Sequence, residues 1–242
     1  MTRVFSPIEA LLFDKDGTLF DFARTWNSWS AGMLAGLARG DADLLGRLAA
    51  SIDFDLELEA FRPDSIAIAG TSAEVAGALA PHLPAYSTDG LEVYLNQTSA
   101  EADLAEAVPL RPFLDALRSR GLRLGVMTND GTHSTRRHLE RVQVFDHFDQ
   151  VICSDSGFGA KPAPDPLLAF ATAMGLPPAH IAMIGDSLHD LQAGRAAGMV
   201  TIGVMTGMAD AATLAPFADV VLPDIGHIPD WLAATSVDRN TA

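Results

Sequence analysis

Short apolar runs that stop abruptly at a polar residue or glycine are the feature that most constrains this 242-residue chain. They occupy 10–13 before Asp14, 122–127 before Thr128, 151–153 before Ser154, 181–184 before Gly185 and 200–205 before Thr206. Continuous apolar runs of this length are typical of strands buried on both faces, as in a parallel sheet. The pattern predicts the α/β class, with a doubly wound and mainly parallel sheet.

Helix-period patterns separate these runs from about residue 108 onward. They cover 110–117, 132–142, 165–174 and 188–197. Gly121, Gly175 and Gly198 follow the first, third and fourth of these segments, as expected at helix C-termini. The second segment carries Arg136, Arg137 and His138, which predict a solvated helix face.

Residues 20–107 have a different pattern, with no convincing strand. Helices are predicted near 26–37, 41–50, 73–80 and 91–107. Trp26 and Trp29 fall on one helical face and are interpreted as core of this segment rather than as a stacking platform. We therefore expect a helical domain at 20–107, called the insert below, within a core domain formed by 1–19 and 108–242.

The charge balance excludes several functions. Lysine and arginine number 16 against 31 aspartates and glutamates, a formal net charge of −15, which repels nucleic acids and anionic membranes. The single cysteine, Cys153, fits a reducing compartment. Residues 1–14 lack a signal-peptide pattern, and no run approaches the roughly 20 apolar residues of a membrane span. A cytoplasmic protein is expected, with no nucleic-acid or membrane partner.

Polar residues follow the predicted strands. They are Asp14, Asp16, Thr128, Asn129, Asp155, Asp186 and Asp190, with Lys161 in the loop after the run at 151–153. Parallel strands bring such residues to one edge of the sheet, where ligands bind. Clustered carboxylates repel one another unless a cation is present, and hard oxygen ligands suit Mg²⁺. A carboxylate beside Mg²⁺ and Lys161 could attack phosphorus while both cations neutralise the developing charge.

Each motif alone has an ordinary structural explanation, as a turn, a helix N-cap or a solvated lysine. Together, in this order, they resemble the haloacid dehalogenase superfamily of phosphohydrolases. Its four signatures stand here at 14–19 (DKDGTL), 127–129 (MTN), 159–162 (GAKP) and 185–190 (GDSLHD). The run at 193–199 (AGRAAGM) is similar to phosphoglycolate phosphatase-like members.

The resemblance implies a role for each matching residue. Asp14 would be the nucleophile that becomes an aspartyl phosphate, and Asp16 the general acid and base. Substrate phosphate would be bound by Thr128, Asn129 and Lys161. Mg²⁺ would be held by Asp14, the Asp16 backbone carbonyl and Asp186, with Asp190 helping directly or through water. The insert would be a cap that closes over a small phosphorylated metabolite.

Several related activities can be compared with the sequence. Asp16 argues against carbon–halogen chemistry, and the two lysines, Lys15 and Lys161, leave none in the insert for a Schiff base. A phosphoglucomutase-like phosphotransferase and a non-catalytic binding protein remain as alternatives to a phosphatase, and the oligomeric state stays open.

Some residues have no assigned role at this stage. Lys15 replaces a common apolar residue of the family and is interpreted as exposed or flanking the sheet, or as tuning the field near Asp14. His189 is expected to be an exposed helix residue. Cations of the insert that could pair with a substrate carboxylate, phosphoglycolate being the guess by resemblance, are Arg24, Arg39, Arg47, Arg62 and His82.

Overall fold

The computed structural model describes residues 6–237, so the predictions for 1–5 and 238–242 lie outside the described part. The strands are β1 (Ala10–Phe13), β2 (Phe54–Asp55), β3 (Ala60–Phe61), β4 (Arg123–Met127), β5 (Gln150–Ile152), β6 (Ile181–Gly185), β7 (Val200–Val204) and β8 (Val220–Leu222). Six of them form a parallel sheet in the order β5-β4-β1-β6-β7-β8. The predicted α/β class with a parallel sheet is confirmed.

Eleven α-helices accompany the strands in the described chain. They are α1 (Phe22–Ala38), α2 (Ala42–Ser51), α3 (Ile66–Ala69), α4 (Ser72–Leu79), α5 (Thr88–Ser99), α6 (Leu110–Ser119), α7 (Thr132–Arg141), α8 (Asp165–Met174), α9 (Leu188–Ala197), α10 (Ala211–Leu214) and α11 (Ile228–Val237). Gly175 and Gly198 adopt left-handed backbone angles just after α8 and α9, as predicted. None of the described helices has the length and apolar character needed to cross a membrane.

The sheet is buried on both faces because its side chains alternate. On β1, Leu11 and Phe13 pack into a cluster with α6, whereas Ala10 and Leu12 face the opposite cluster with α8 and α9. This is the doubly wound arrangement, with helices on each face of a parallel sheet. It explains why the strands have continuous apolar sequences rather than alternating ones.

The insert has a hydrophobic cluster of its own. Its buried members run from Phe22 to Ala102 and come mainly from α1, α2, α4, α5 and the short strands. Trp26 belongs to this cluster and Trp29 packs against it, in agreement with their interpretation as core. The division into separate domains at residues 20 and 107 stays a prediction.

Two predictions for the insert are wrong. It contains an antiparallel pair, β2 with β3, although no strand was expected after β1. Each strand is too short to show an alternating pattern, so the sequence gives little sign of it. The helix expected at 91–107 is also shorter, because α5 ends at Ser99. Arg141 donates to the carbonyls of Ala100 and Ala102, which stabilises the chain beyond the helix end.

Candidate active site

The register of the central strands places the candidate residues at one edge of the sheet. Phe13, the last residue of β1, lies between Val126 of β4 and Ile184 of β6. The backbone N–H of Asp14 then donates to the Ile184 carbonyl over 2.8 Å. Since all three strands run in parallel, the segments beginning at Asp14, Thr128 and Asp186 meet at their carboxyl ends.

Lys161 joins two of these segments through its ammonium group. Its Nζ lies 2.5 Å from Oδ1 of Asp14 and 2.6 Å from Oδ1 of Asp190. All three side chains are buried. Burial lowers the pKa of Lys161, but Asp14 and Asp190 outweigh it, so the net pKa is raised and the ammonium form is favoured. The lysine is a fixed positive charge beside Asp14.

Asn129 positions this lysine. Its Oδ1 accepts from the Lys161 backbone N–H and its Nδ2 donates to the Lys161 carbonyl, both over 2.9 Å. Nδ2 also donates to the carbonyl of Ala69 in the insert. Both amide hydrogens are therefore used in holding the backbone of Lys161 and of the insert, and the assignment of Asn129 to substrate phosphate stays a prediction.

Asp14, Asp186 and Asp190 form a cluster of buried carboxylates whose nearest oxygens all lie within 4.8 Å of one another. Burial first, and then Asp190 and Asp16, raise the pKa of Asp14 to about 7 although Lys161 opposes the shift. Burial, and then the charges of Asp190 and Asp14, raise the pKa of Asp186 well above its usual range. One ammonium does not compensate three carboxylates, and these hard oxygen donors fit a divalent cation such as Mg²⁺.

Two glycines and a threonine fix the carboxylate of Asp186. Thr18 Oγ1 donates to its Oδ1 over 3.2 Å. The backbones of Gly17 and Gly207 approach so closely that a Cβ at either position would overlap with the carboxylate. Thr206 Oγ1 also donates to the Gly17 carbonyl over 2.6 Å and ties together the loops after β7 and β1.

Asp190 is held by the start of its own helix. Its Oδ2 accepts from the backbone N–H and the hydroxyl of Ser187, over 3.0 and 2.7 Å. This capping arrangement leaves Oδ1 for Lys161. In the sequence analysis, a helix N-cap was an ordinary structural explanation for such a motif. That N-cap is present, and it also orients Asp190 within the site.

Asp16 lines the same cavity but is not part of the three-carboxylate cluster, and its side chain contacts the insert. Its Oδ1 accepts from Trp26 Nε1 over 2.9 Å. Lys15 Nζ lies 2.9 Å from the same oxygen and 2.8 Å from Oδ2. Burial raises the pKa of Asp16, and the Lys15 charge acts against this rise without cancelling it. A raised pKa suits a carboxyl group that must donate a proton.

The interpretation of Lys15 as an exposed lysine is wrong, because its side chain is fully buried. Its Nζ also lies 3.0 Å from Asp130 Oδ2 and 3.0 Å from His138 Nδ1. Burial, followed by the charge of Lys15, lowers the pKa of His138 to about 3. The neutral imidazole therefore accepts from Lys15 at Nδ1 and donates from Nε2 to the Ser99 carbonyl over 2.7 Å. His138 was predicted on a solvated face and is instead buried.

Thr128 is buried at the end of β4 and lines the cavity beside the carboxylates. Its hydroxyl oxygen accepts from the Asp130 N–H over 3.1 Å, so its hydrogen can still be donated to a phosphoryl oxygen. Asp155, the other acid predicted at a strand end, is exposed and accepts from Thr132. It does not line the cavity. With Asp16 and Asp155 outside it, the cluster has three of the five carboxylates that the strand ends suggested.

Asp14, Asp16 and Asp186 form the floor of a cavity of about 110 Å³ between the sheet and the insert. Apolar side chains of the insert, including Trp26, Trp29 and Met33, line its opposite side. His189 is half-buried and lines the cavity, which corrects the expectation of an exposed helix residue. None of the five cations proposed for a substrate carboxylate is among the described lining residues.

Sequence reasoning missed several residues that shape this site. Trp26 was interpreted as core only, yet it also donates to Asp16. Gly207 was not singled out, although it stands directly after Thr206 at the end of a predicted strand. That position, at the same sheet edge as the aspartates, was the one signal that could have identified it.

Comparison with known proteins identifies the family. The haloacid dehalogenase-like hydrolase family profile matches residues 8–198. The chain is 40% identical over 94 residues to the phosphoglycolate phosphatase of Escherichia coli (strain K12), which covers 39% of this chain and 37% of that relative's length. The chain belongs to the haloacid dehalogenase-like hydrolase family, and its predicted similarity to phosphoglycolate phosphatases is confirmed.

Solved structures support the same fold. CbbY from Rhodobacter sphaeroides, in complex with phosphate, superposes with a TM-score of 0.70 at 18% identity, covering 91% of this chain and 96% of that chain. The β-phosphoglucomutase of Clostridium difficile superposes with a TM-score of 0.68 at 16% identity, covering 97% and 100%. At these identities the likeness concerns the architecture alone.

Proposed function

We propose that this protein is a Mg²⁺-dependent phosphatase that hydrolyses a small phosphate monoester through an aspartyl phosphate at Asp14. The main support is the placement of Asp14, whose carboxylate lies 2.5 Å from the buried ammonium of Lys161 on the floor of a cavity. A nucleophile beside a fixed positive charge suits attack on an anionic phosphoryl group. We also propose a cytoplasmic location and a small phosphorylated metabolite as the substrate.

Asp14, Asp186 and the Asp16 backbone carbonyl would hold the metal ion, with Asp190 contributing directly or through water. Bound Mg²⁺ would neutralise negative charge on the phosphoryl oxygens and on the clustered carboxylates. The three buried carboxylates, with pKa values raised at Asp14 and Asp186, are the support for this assignment.

The first half of the reaction forms the intermediate. A carboxylate oxygen of Asp14 bonds to phosphorus while the bond between phosphorus and the ester oxygen breaks. Asp16 gives its proton to the departing alkoxide, which leaves as the alcohol. Lys161 and the Thr128 hydroxyl bind the phosphoryl oxygens during the transfer.

The second half regenerates the enzyme. Asp16, now a carboxylate, takes a proton from water as the water oxygen bonds to phosphorus. The bond between phosphorus and the Asp14 oxygen breaks, and inorganic phosphate leaves. The apolar wall of the insert limits access of bulk water to the site during these steps.

The experiment compares wild type with Asp14→Asn in a screen of phosphate monoesters with Mg²⁺, measuring released phosphate. We expect Asp14→Asn to lose activity by at least about a thousandfold, as for other nucleophile removals. Asp155→Asn is the matched control, because this exposed acid lies outside the cavity and should keep its activity. Full activity of Asp14→Asn would contradict the assignment, and isomer interconversion without phosphate release would support the phosphotransferase alternative.

A further inference from the structure

The side of the cavity opposite the carboxylates receives the part of the substrate that leaves as the alcohol. We propose that this alcohol is neutral and predominantly apolar, such as an arylmethyl or branched alkyl alcohol. This inference rests on the proposed phosphatase function and specifies its substrate class.

The walls contributed by the insert are largely apolar. Their larger members are Trp26, Trp29, Met33, Phe61, Ile68 and Leu95. They come from separate parts of the insert and converge on one space. Apolar surface of this kind gains free energy by removing an apolar group from water and offers little to a hydrated one.

A substrate carboxylate would find no cation on these walls among the described residues. Arg39 donates to the Tyr86 hydroxyl over 3.1 Å, and Arg62 pairs with Asp55 outside the cavity. Lys161 lies on the floor and is already paired with two carboxylates. His189 lines the cavity from α9 and not from these walls. Burying a second anionic group without a partner is strongly unfavourable. The walls therefore disfavour phosphoglycolate, the guess made by resemblance.

The hydroxyl groups of a sugar would also find few hydrogen-bond partners on these walls. Ser30 is a buried wall residue whose Oγ has no hydrogen-bond partner in the described structure. The other two serines of these walls, Ser72 and Ser99, already donate to Asn96 Oδ1 over 2.8 Å and to the Asn96 carbonyl over 3.4 Å. One free hydroxyl suits a single polar atom on the alcohol, whereas the several hydroxyls of a sugar would lose hydrogen bonds to water.

Trp26 and Trp29 shape the apolar wall further. Their rings pack edge to face, with centroids 5.3 Å apart and planes at 82°. Trp26 is fixed by its bond to Asp16, and Trp29 is only half-buried. This arrangement gives an aromatic or branched group a rigid surface close to the general acid.

The first test measures kcat/KM with Mg²⁺ for benzyl phosphate, phosphoglycolate and glycerol phosphate. All three release alkyl alcohols, so leaving-group reactivity does not dominate the comparison. We expect benzyl phosphate to exceed both others by at least about tenfold. Equal or higher values for phosphoglycolate or glycerol phosphate would overturn the inference while leaving the phosphatase proposal intact. No phosphate release from any ester would instead contradict the proposed function.

The second test introduces a cation on the wall. Ile68→Arg should lower kcat/KM for benzyl phosphate and raise it for phosphoglycolate, because the guanidinium can pair with the carboxylate. Ile66→Arg is the matched control, since Ile66 lies in the same helix, is 39% exposed and does not line the cavity. If both variants keep the wild-type ratio of the two substrates, the wall does not select the alcohol. A change confined to Ile68→Arg supports the assignment.

Discussion

The ammonium of Lys15 lies 2.9 and 2.8 Å from the two carboxylate oxygens of Asp16, the next residue in the chain. Trp26 of the insert donates to one of the same oxygens. The proposed general acid is therefore held from the sheet side by Lys15 and from the insert side by Trp26. Lys15 also contacts Asp130 and so carries the positive charge of a buried network.

Lys15→Met should strongly destabilise the fold. The substitution keeps most of the side-chain volume but leaves Asp16 and Asp130 buried without their cation. Removing one partner of a buried ion pair costs about 3–5 kcal/mol, and we expect the free energy of unfolding in urea to fall by about that amount. Arg137→Met is the control, because its ion pair with Glu101 is half-exposed on both sides and should change stability by only about 1 kcal/mol or less. Similar losses of unfolding free energy in the two variants would contradict the role of Lys15 as the cation of a buried network.

The stability of the metal-free protein should depend on Asp14 between about pH 4 and pH 7. The folded state raises the pKa of Asp14 from 3.8 to about 7, so in this window it keeps a proton that the unfolded chain has released. The free energy of unfolding therefore falls as pH rises. Between pH 5.5 and 8.5 in EDTA, we expect the free energy of unfolding to fall by at least about 1.4 kcal/mol more in wild type than in Asp14→Asn.

Magnesium should oppose this loss, because a bound cation favours the ionised carboxylates. Addition of Mg²⁺ should therefore raise the melting temperature more at pH 8.5 than at pH 5.5. If the free energy of unfolding changed identically with pH in wild type and Asp14→Asn, and Mg²⁺ had no effect at high pH, the buried acidic cluster would not be the source of the pH dependence.

Gly207→Ala should weaken metal binding with little effect on the fold. A Cβ at this position would overlap with the Asp186 carboxylate and displace it from its place beside Asp14. We expect the Mg²⁺ affinity, measured by calorimetry, to fall at least about tenfold. Gly77→Ala is the control, because nothing lies within 4 Å of the added Cβ. Equal affinities for the two variants would show that Asp186 does not hold the ion.

Much of the fold follows from the sequence because buried parallel strands have a simple pattern. Helices α8 and α9 begin and end at the predicted residues, where glycine follows each. Strand β8 was not predicted, because Val220–Leu222 is only half-buried at the sheet edge and its apolar run is short.

The aspartates and Lys161 were predictable as a group because strand ends meet at one edge. The environments of Lys15 and His138 were not, since each depends on contacts between distant segments. Their side chains are in contact although 123 positions separate them in the sequence. No local pattern predicts that a lysine just after β1 will contact a buried imidazole and two carboxylates. Local charge alone favours an exposed position for both residues.

The central claim is that Asp14 carries the phosphoryl group during turnover. The most direct measurement is mass spectrometry of the Asp16→Ala variant, acid-quenched after mixing with 4-nitrophenyl phosphate and Mg²⁺. Nitrophenolate needs little help from a general acid, whereas hydrolysis of the intermediate needs Asp16 as a base, so the phosphoryl group should accumulate. We predict one phosphoryl group on the peptide containing Asp14, and none in the double variant Asp14→Asn/Asp16→Ala. Nitrophenolate release with no phosphorylated peptide, or with the group on another residue, would contradict the account.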